Sequence, residues 1–273
     1  MPITATDFDY VRGLVRDRSA IVLEPGKEYL VESRLLALVQ RKGLPDISAL
    51  VNELRKVRDG ALHTQVVEAM TTNETSFFRD VHPFHALRDK ILPELVERRA
   101  RERTLRIWSA ACSSGQEPYT LVMLLREHFP ALAAWRIEIL GTDLSSEVLD
   151  RAREGRYAQL EVNRGLPAAM LVKYFEHQGA SWVVKPDLKR NVEFRVMNLV
   201  APWPTMRAFD LVFLRNVLIY FDRPTKQQIL ERVKGVLRPD GYLFLGAAET
   251  TLNVHDGYER VALERAGCYR LRG

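Results

Sequence analysis

The chain has 273 residues, 47% of them apolar and 27% charged, with a net charge of +5. That length suits one large domain or two modest ones, and the composition is that of a soluble globular protein, which excludes wholesale disorder and fibrous classes. No apolar run approaches the ~20 residues of a membrane span, and Cys112 and Cys268 alone cannot build a disulfide framework, so a cytoplasmic chain without membrane insertion or signal peptide is expected.

Residues 1–72 read as helices only. Phe8, Val11, Leu14 and Val15 follow helical spacing, with Thr6 or Asp7 available as cap. A second helix spans about Lys27 to Lys42, with Tyr29, Leu30, Leu35, Leu38 and Val39 apolar, and Gly43 stops it. Asp46 opens a third, striped by Ile47, Leu50, Val51, Leu54 and Val57, and a fourth covers Ala61 to Met70. Such short helices must pack together to hide their stripes, which predicts a small helical domain. Arg34, Arg41, Lys42, Arg55, Lys56 and Arg58 fall on polar faces, either solvated or a docking surface.

Residues 1–100 balance 15 basic against 15 acidic side chains, so the positive surplus lies in 101–273, where it either steers an acidic partner or marks an Arg-rich surface. No long basic run argues for nucleic acid. His82-x-x-His85 is the nearest approach to a metal spacing and reads better as a helix turn, so no metal is expected.

From Leu105 the texture changes. Leu105–Ala111, Arg136–Gly141, Val192–Val196, Phe209–Leu214 and Tyr242–Gly246 read as buried strands, separated by helices at Pro118–His128, Ser146–Arg153 and Thr225–Val236. Alternation of this kind predicts an α/β fold with a doubly wound parallel sheet. Tyr258–Ala262 and Cys268–Leu271 can add an antiparallel edge, and Trp108 and Trp135 read as core. Ligands of such sheets bind beyond the carboxyl ends of the strands.

There the first strand runs into Ser109-Ala-Ala-Cys-Ser-Ser-Gly-Gln-Glu117, a small-residue turn that lets a ligand approach the backbone. It has neither GxGxxG nor a phosphate-binding lysine loop, which disfavours dinucleotides and nucleoside triphosphates. Glu117 suits a cationic ligand, or serves only the helix dipole. Asp143, ending the second strand, is placed to accept both hydroxyls of a ribose; the neighbouring Ser145 is the better helix cap. A nucleoside with a cationic, unphosphorylated appendage points to S-adenosyl-L-methionine and a methyltransferase. Arg215, Asn216 and Tyr220 follow the fourth strand at the crevice. Asn73-Glu-Thr75-Ser-Phe77-Phe78-Arg79 sits between the halves, either a hinge or part of the site. Cys112 reads as a small space-filler rather than a redox group.

Three ordered motifs, Asn73-x-Thr75-x-Phe77-Phe78-Arg79, Trp108-Ser-Ala-Ala-Cys-Ser-Ser-Gly-Gln-Glu117-Pro-Tyr and Arg215-Asn216-Val-Leu-Ile-Tyr220-Phe, resemble the CheR family of bacterial chemotaxis methyltransferases, over nearly the whole chain. The resemblance implies a helical domain at 1–72 and a methyltransferase domain at 73–273 with a small inserted β-subdomain near 172–196. It implies methyl transfer from S-adenosyl-L-methionine to receptor glutamates, leaving S-adenosyl-L-homocysteine, with the cytoplasmic helical bundle of a chemoreceptor as partner. A regulatory protein is admitted as a second partner, and a monomer is expected. Carried over by residue, Asn73, Thr75, Arg79, Glu117, Asp143, Asn198, Leu199, Arg215 and Asn216 contact the cofactor, and Arg79 and Tyr220 stand nearest the chemistry.

One stretch departs from the family pattern. Some members hold a receptor's C-terminal pentapeptide with a glycine-rich, basic loop in the subdomain. Tyr174–Asn191 here has one glycine, Gly179, and is short, so tethering is expected to be weak or absent, although Trp182-Val-Val184 can still form a strand. Two other readings compete: a non-catalytic scaffold, disfavoured because Arg79 and Tyr220 are both present, and a nucleic-acid or small-molecule methyltransferase, disfavoured because Arg215-Asn-Val-Leu-Ile-Tyr220 is not an amine-directed loop.

Overall fold

A computed structural model describes residues 3–273. Four helices come first: α1 (Ala5–Ser19), α2 (Glu28–Arg41), α3 (Ile47–Lys56) and α4 (Ala61–Ala69). Their stripes meet in one apolar cluster that includes Phe8, Val11, Leu35, Leu50, Leu54 and Val66. Three local expectations give way. The α1 cap is Thr4, whose hydroxyl accepts from Asp7 N at 3.1 Å, while Asp7 is buried and accepts from Ser48 Oγ at 2.7 Å, tying α1 to α3. Val57 lies past the end of α3 in extended backbone and is 52% exposed. Tyr29, in the first turn of α2, is 64% exposed.

A helix that the periodicity did not reveal follows the hinge: α5 (His82–Ala86) passes through a π turn (Leu87–Ile91) into α6 (Leu92–Arg99). Leu92 N–H reaches back to Leu87 O across the widened turn, just ahead of Pro93, which has no N–H to donate. The His82 and His85 rings lie 6.5 Å apart within it.

The remaining elements are β1 (Thr104–Ala110), α7 (Gln116–His128), β2 (Arg136–Asp143), α8 (Ser146–Glu154), β3 (Arg156–Ala158), α9 (Gln159–Asn163), α10 (Ala168–Tyr174), β4 (Phe175–Gln178), β5 (Ser181–Val184), α11 (Pro186–Lys189), β6 (Val192–Val196), β7 (Phe209–Leu214), α12 (Arg223–Val236), β8 (Leu237–Leu245), β9 (Tyr258–Arg260) and β10 (Gly267–Leu271). The main sheet has the order β6-β2-β1-β7-β8-β10-β9. The first five strands are parallel, and β10 and β9 form the antiparallel edge. Strand order reverses at β1, which opens a crevice at the carboxyl ends of β1, β2 and β7.

Alternation divides the core between two faces. Leu211 and Phe213 pack with Phe84, Leu92 and Tyr119, whereas Val212 and Leu214 pack with Ile229 and Val233 of α12. Burial is complete along β7 but fails at the rim: β6 is an edge strand with Val196 56% exposed, and β2 is buried mainly toward its end. β8 begins at Leu237 rather than Tyr242. Trp108 is wholly buried; Trp135 is only half-buried against the core.

A second sheet, β3-β5-β4, is antiparallel throughout. It contains the Trp182–Val184 strand, but its bounds differ from 172–196: β3 lies upstream at Arg156–Ala158, and β6 belongs to the main sheet. Phe77 meets Tyr157 and Phe175 edge-on at 5.1 and 5.5 Å, joining this sheet to the hinge. The helical domain also grips the sheet domain. Glu68 accepts from both Ser146 N and Ser146 Oγ at 2.9 Å, at the start of α8. Within the helical domain, Arg34, which reads from sequence as a polar-face residue, reaches Met70 O and Thr72 Oγ1 at the domain's end.

Candidate functional site

The turn after β1 is held in an uncommon backbone shape, with φ of 54° at Ala111, 51° at Ser113 and 91° at Gly115. At Gly115 a Cβ would also lie 2.9 Å from the Ala152 Cβ, so glycine answers both the φ and the close approach of α8. This shape aims Ser113 N–H at Asp143, whose Oδ2 accepts it at 2.8 Å while Oδ1 accepts Ser145 N at 3.0 Å. Asp143 is 6% exposed, and burial pushes its carboxyl pKa up despite those backbone donors. Ser145 caps α8 through its hydroxyl to Val148 N, leaving Asp143 out of that role. Cys112 is buried and its thiol pKa is raised well above the usual range by desolvation, as suits a space-filling side chain.

Beyond β7, Arg215 is almost fully buried. It donates through Nη1 to Glu117 Oε2 and through Nη2 to Asp80 Oδ2 and Arg79 O, each at 2.9 Å. The other Glu117 oxygen accepts from Ser109 Oγ at 2.7 Å. Glu117 therefore faces the cleft as one arm of an ion-pair network rather than as a free carboxylate. The buried Arg215 Nε–H has no acceptor among the described residues.

Arg79 is about a quarter exposed and donates to Glu74 O at 2.6 Å; Glu74 in turn pairs with Arg164. Its neighbours Phe78 and Asp80 have φ of 48° and 62°, and Asn216 has 58°. With Ala111 and Ser113, these make five of the nine non-glycine residues with positive φ among those described. Backbone strain is thus concentrated where the loops converge.

Tyr220 ends a 3-10 turn (Leu218–Tyr220), and its carbonyl accepts Val22 N at 3.1 Å. Asn198 donates to Arg18 O at 2.6 Å, so its amide braces the end of α1. Leu199 is buried beside it.

The structure brings all ten sequence-predicted residues into one cleft: Asn73, Thr75, Arg79, Glu117, Asp143, Asn198, Leu199, Arg215, Asn216 and Tyr220. Sequence reasoning missed Ser19 and Ile21, which the helical domain contributes, together with Thr72, Leu144 and Met197. Ser19 and Ile21 carry no motif, because at the end of a helix their types are unremarkable; only the fold brings them here. Around the cleft, Glu74, Asp80, Glu117 and Asp143 stand against Arg79, Arg164 and Arg215, an excess of one negative charge that favours a cation. Apolar walls at Leu144, Met197 and Leu199 offer a flat ring a dry seat next to the Asp143 carboxylate.

A family model described as the SAM binding domain of CheR methyltransferase matches residues 73–266, and one described as its all-alpha domain matches residues 6–71. The chain is 43% identical to chemotaxis protein methyltransferase 1 of Pseudomonas aeruginosa over 100% of both chains. It is 42% identical to chemotaxis protein methyltransferase Cher2 of Pseudomonas putida, covering 93% of this chain and 94% of that one. It is 40% identical to the chemotaxis protein methyltransferase of Vibrio parahaemolyticus, over 99% of each.

Proposed function

Since the chain belongs to the CheR methyltransferase family, we propose that it esterifies specific glutamate side chains on the cytoplasmic helical bundle of chemoreceptors, forming γ-methyl esters that adapt chemotaxis signalling. It is a methyltransferase that uses S-adenosylmethionine. The observation that carries the finer reading is a single cleft holding a buried Asp143 carboxylate and a partly exposed Arg79 guanidinium. The cleft fits the cofactor on its own chemistry: the acidic excess suits a sulfonium, and the orphaned Arg215 Nε–H would gain an acceptor from a methionyl carboxylate.

When bound, S-adenosylmethionine supplies an activated methyl group on a neutralisable sulfonium. Asp143 holds the ribose, and Leu144, Met197 and Leu199 exclude water around the ring. A glutamate nucleophile has an ordinary pKa of about 4.3 and is already ionised near neutrality, so no residue here need act as a general base. The protein's task is alignment, which in favourable cases supplies up to ~7–11 kcal/mol. Arg79 orients the incoming carboxylate with its planar fork and keeps it in line. A tight grip would make the carboxylate a poorer nucleophile, so Arg79 positions rather than activates. Tyr220 donates a hydrogen bond to the carboxylate or shields the sulfonium with its ring face. Taking the carboxylate out of water favours a transition state in which opposite charges cancel.

The test is incubation with methyl-labelled cofactor and receptor cytoplasmic fragments, followed by mild alkali. Release of labelled methanol supports a glutamyl ester; alkali-stable label would mean N-methylation and remove the reading, and no label would favour a scaffold. Tethering through a receptor pentapeptide is weak or absent in this reading, and micromolar calorimetric binding of such a peptide would contradict it.

A further inference from the structure

We infer that Glu249 is a positioning residue for methyl transfer: its carboxylate clamps the loop from Asn216 to Tyr220, and so sets where the Tyr220 ring stands. This rests on the role proposed above for Tyr220.

Glu249 follows β8 by four residues and is 8% exposed. Its carboxylate makes no ion pair among the described residues. It takes three backbone donors instead: Gly246 N at 2.7 Å and Asn216 N at 2.8 Å on Oε2, and Ile219 N at 3.3 Å on Oε1. A buried carboxylate without a cation is expensive unless such donors surround it. These donors come from two loops that leave adjacent strands, β7 and β8, and Glu249 is the group that joins them.

Each contact restrains a part of the chain that needs it. Asn216 has a positive φ, which an L-residue adopts at a cost, and its N–H is held by Glu249. A Cβ at residue 246 would lie 2.8 Å from both Asn216 N and Glu249 Oε2, so glycine leaves the room that the clamp occupies. Ile219 N–H lies inside the 3-10 turn that ends at Tyr220, one peptide from the tyrosine. Glu249 itself does not line the cleft. An isosteric apolar residue would fill its space but leave three peptide N–H groups without acceptors.

The two oxygens divide the work, which makes a specific test. In Glu249→Gln the carbonyl can keep Gly246 and Asn216, but the amide then presents its own donors to Ile219 N–H. The turn bearing Tyr220 is released while the rest of the clamp stays. The expected result is a 10- to 100-fold lower kcat, with KM for S-adenosylmethionine, affinity for S-adenosylhomocysteine and melting temperature near wild type. Glu249→Asp, which keeps both acceptors on a shorter arm, should recover part of the rate. Combined with Tyr220→Ala, Glu249→Gln should cost nothing further, because both remove the same placement. The Tyr220 ring signal in tyrosine-labelled protein should shift and broaden in Glu249→Gln.

Multiplicative losses in the double variant, or an unchanged Tyr220 signal, overturn the inference. Loss of rate in Tyr220→Ala with a wild-type rate in Glu249→Gln overturns it alone. A wild-type rate for Tyr220→Ala overturns it together with the role proposed for Tyr220. Should the wild-type protein fail to transfer a methyl group to receptor fragments, the ring signal still decides the clamp.

Discussion

Arg215 and Glu117, 98 residues apart in the chain, meet at 2.9 Å across the crevice, joining the loop after β7 to the start of α7. Their side chains are 2% and 13% exposed, so the pair is largely shielded from solvent. Removing one partner of a buried pair strands the other charge, at a cost of about 3–5 kcal/mol.

Arg215→Met should therefore destabilise the fold by roughly 3 kcal/mol in urea denaturation and weaken cofactor binding as well. Glu117→Gln keeps an acceptor for Arg215 and should cost less. Equal stability of Arg215→Met and wild type would show that the network is dispensable.

Arg79 lines the cleft and is about a quarter exposed, so its replacement widens the cleft rather than opening a void in the core. Arg79→Ala should lower the methylation rate by roughly 100-fold or more while leaving the melting temperature unchanged, since it loses orientation of the acceptor and little packing. Arg79→Lys should recover only a fraction, because an ammonium lacks the planar fork. The measurement is methanol release from receptor fragments; a near-normal rate for Arg79→Ala would take the residue out of the site.

Asp143 offers a pH test. Burial raises its pKa in the ligand-free protein, whereas ribose hydroxyls bound in the proposed way would favour the charged form and pull it back. Affinity for S-adenosylhomocysteine should therefore increase as pH rises through the raised pKa and weaken as pH falls. Calorimetric titration between about pH 4 and 7 should show proton release on binding, and Asp143→Asn should abolish that dependence. Asp143→Ala should weaken binding by roughly 100-fold, the loss of hydrogen bonds to a charged acceptor. For folding alone the sign is opposite: a folded-state pKa above the unfolded value contributes stability at low pH that is lost as pH rises through it.

Phe77 is wholly buried, with its ring against Tyr157 and Phe175 of the small sheet. Phe77→Ala should cost about 3–5 kcal/mol in chemical denaturation. Because Phe77 lies two residues from both Thr75 and Arg79, the rate should fall beyond what the stability loss explains; a stable, fully active variant would contradict this.

What the amino-acid order determined was local and periodic. Helical stripes at Phe8–Val15 and Ile47–Leu54, apolar runs at Leu105–Ala110 and Phe209–Leu214, and the small-residue turn ending at Gly115 were all legible, because repeat distance and side-chain size are properties of the residues themselves. So were Glu117, Asp143, Arg215, Asn216 and Tyr220, which follow strand ends; Asn73, Thr75 and Arg79 in the hinge, with Asn198 and Leu199, were named through the family resemblance. The helix at His82–Arg99 escaped because Pro93 and the π turn break its period, and β6 was misjudged because an edge strand keeps apolar residues that a buried one would also carry. The pairing of charges was decided only in three dimensions. No spacing rule says that Arg215 neutralises Glu117, that Arg34 reaches Thr72, or that Glu249 closes on Ile219 N–H. Those partners are chosen by chain topology, which brings remote loops to one end of the sheet, and by the cost of leaving a charge there without a donor or acceptor.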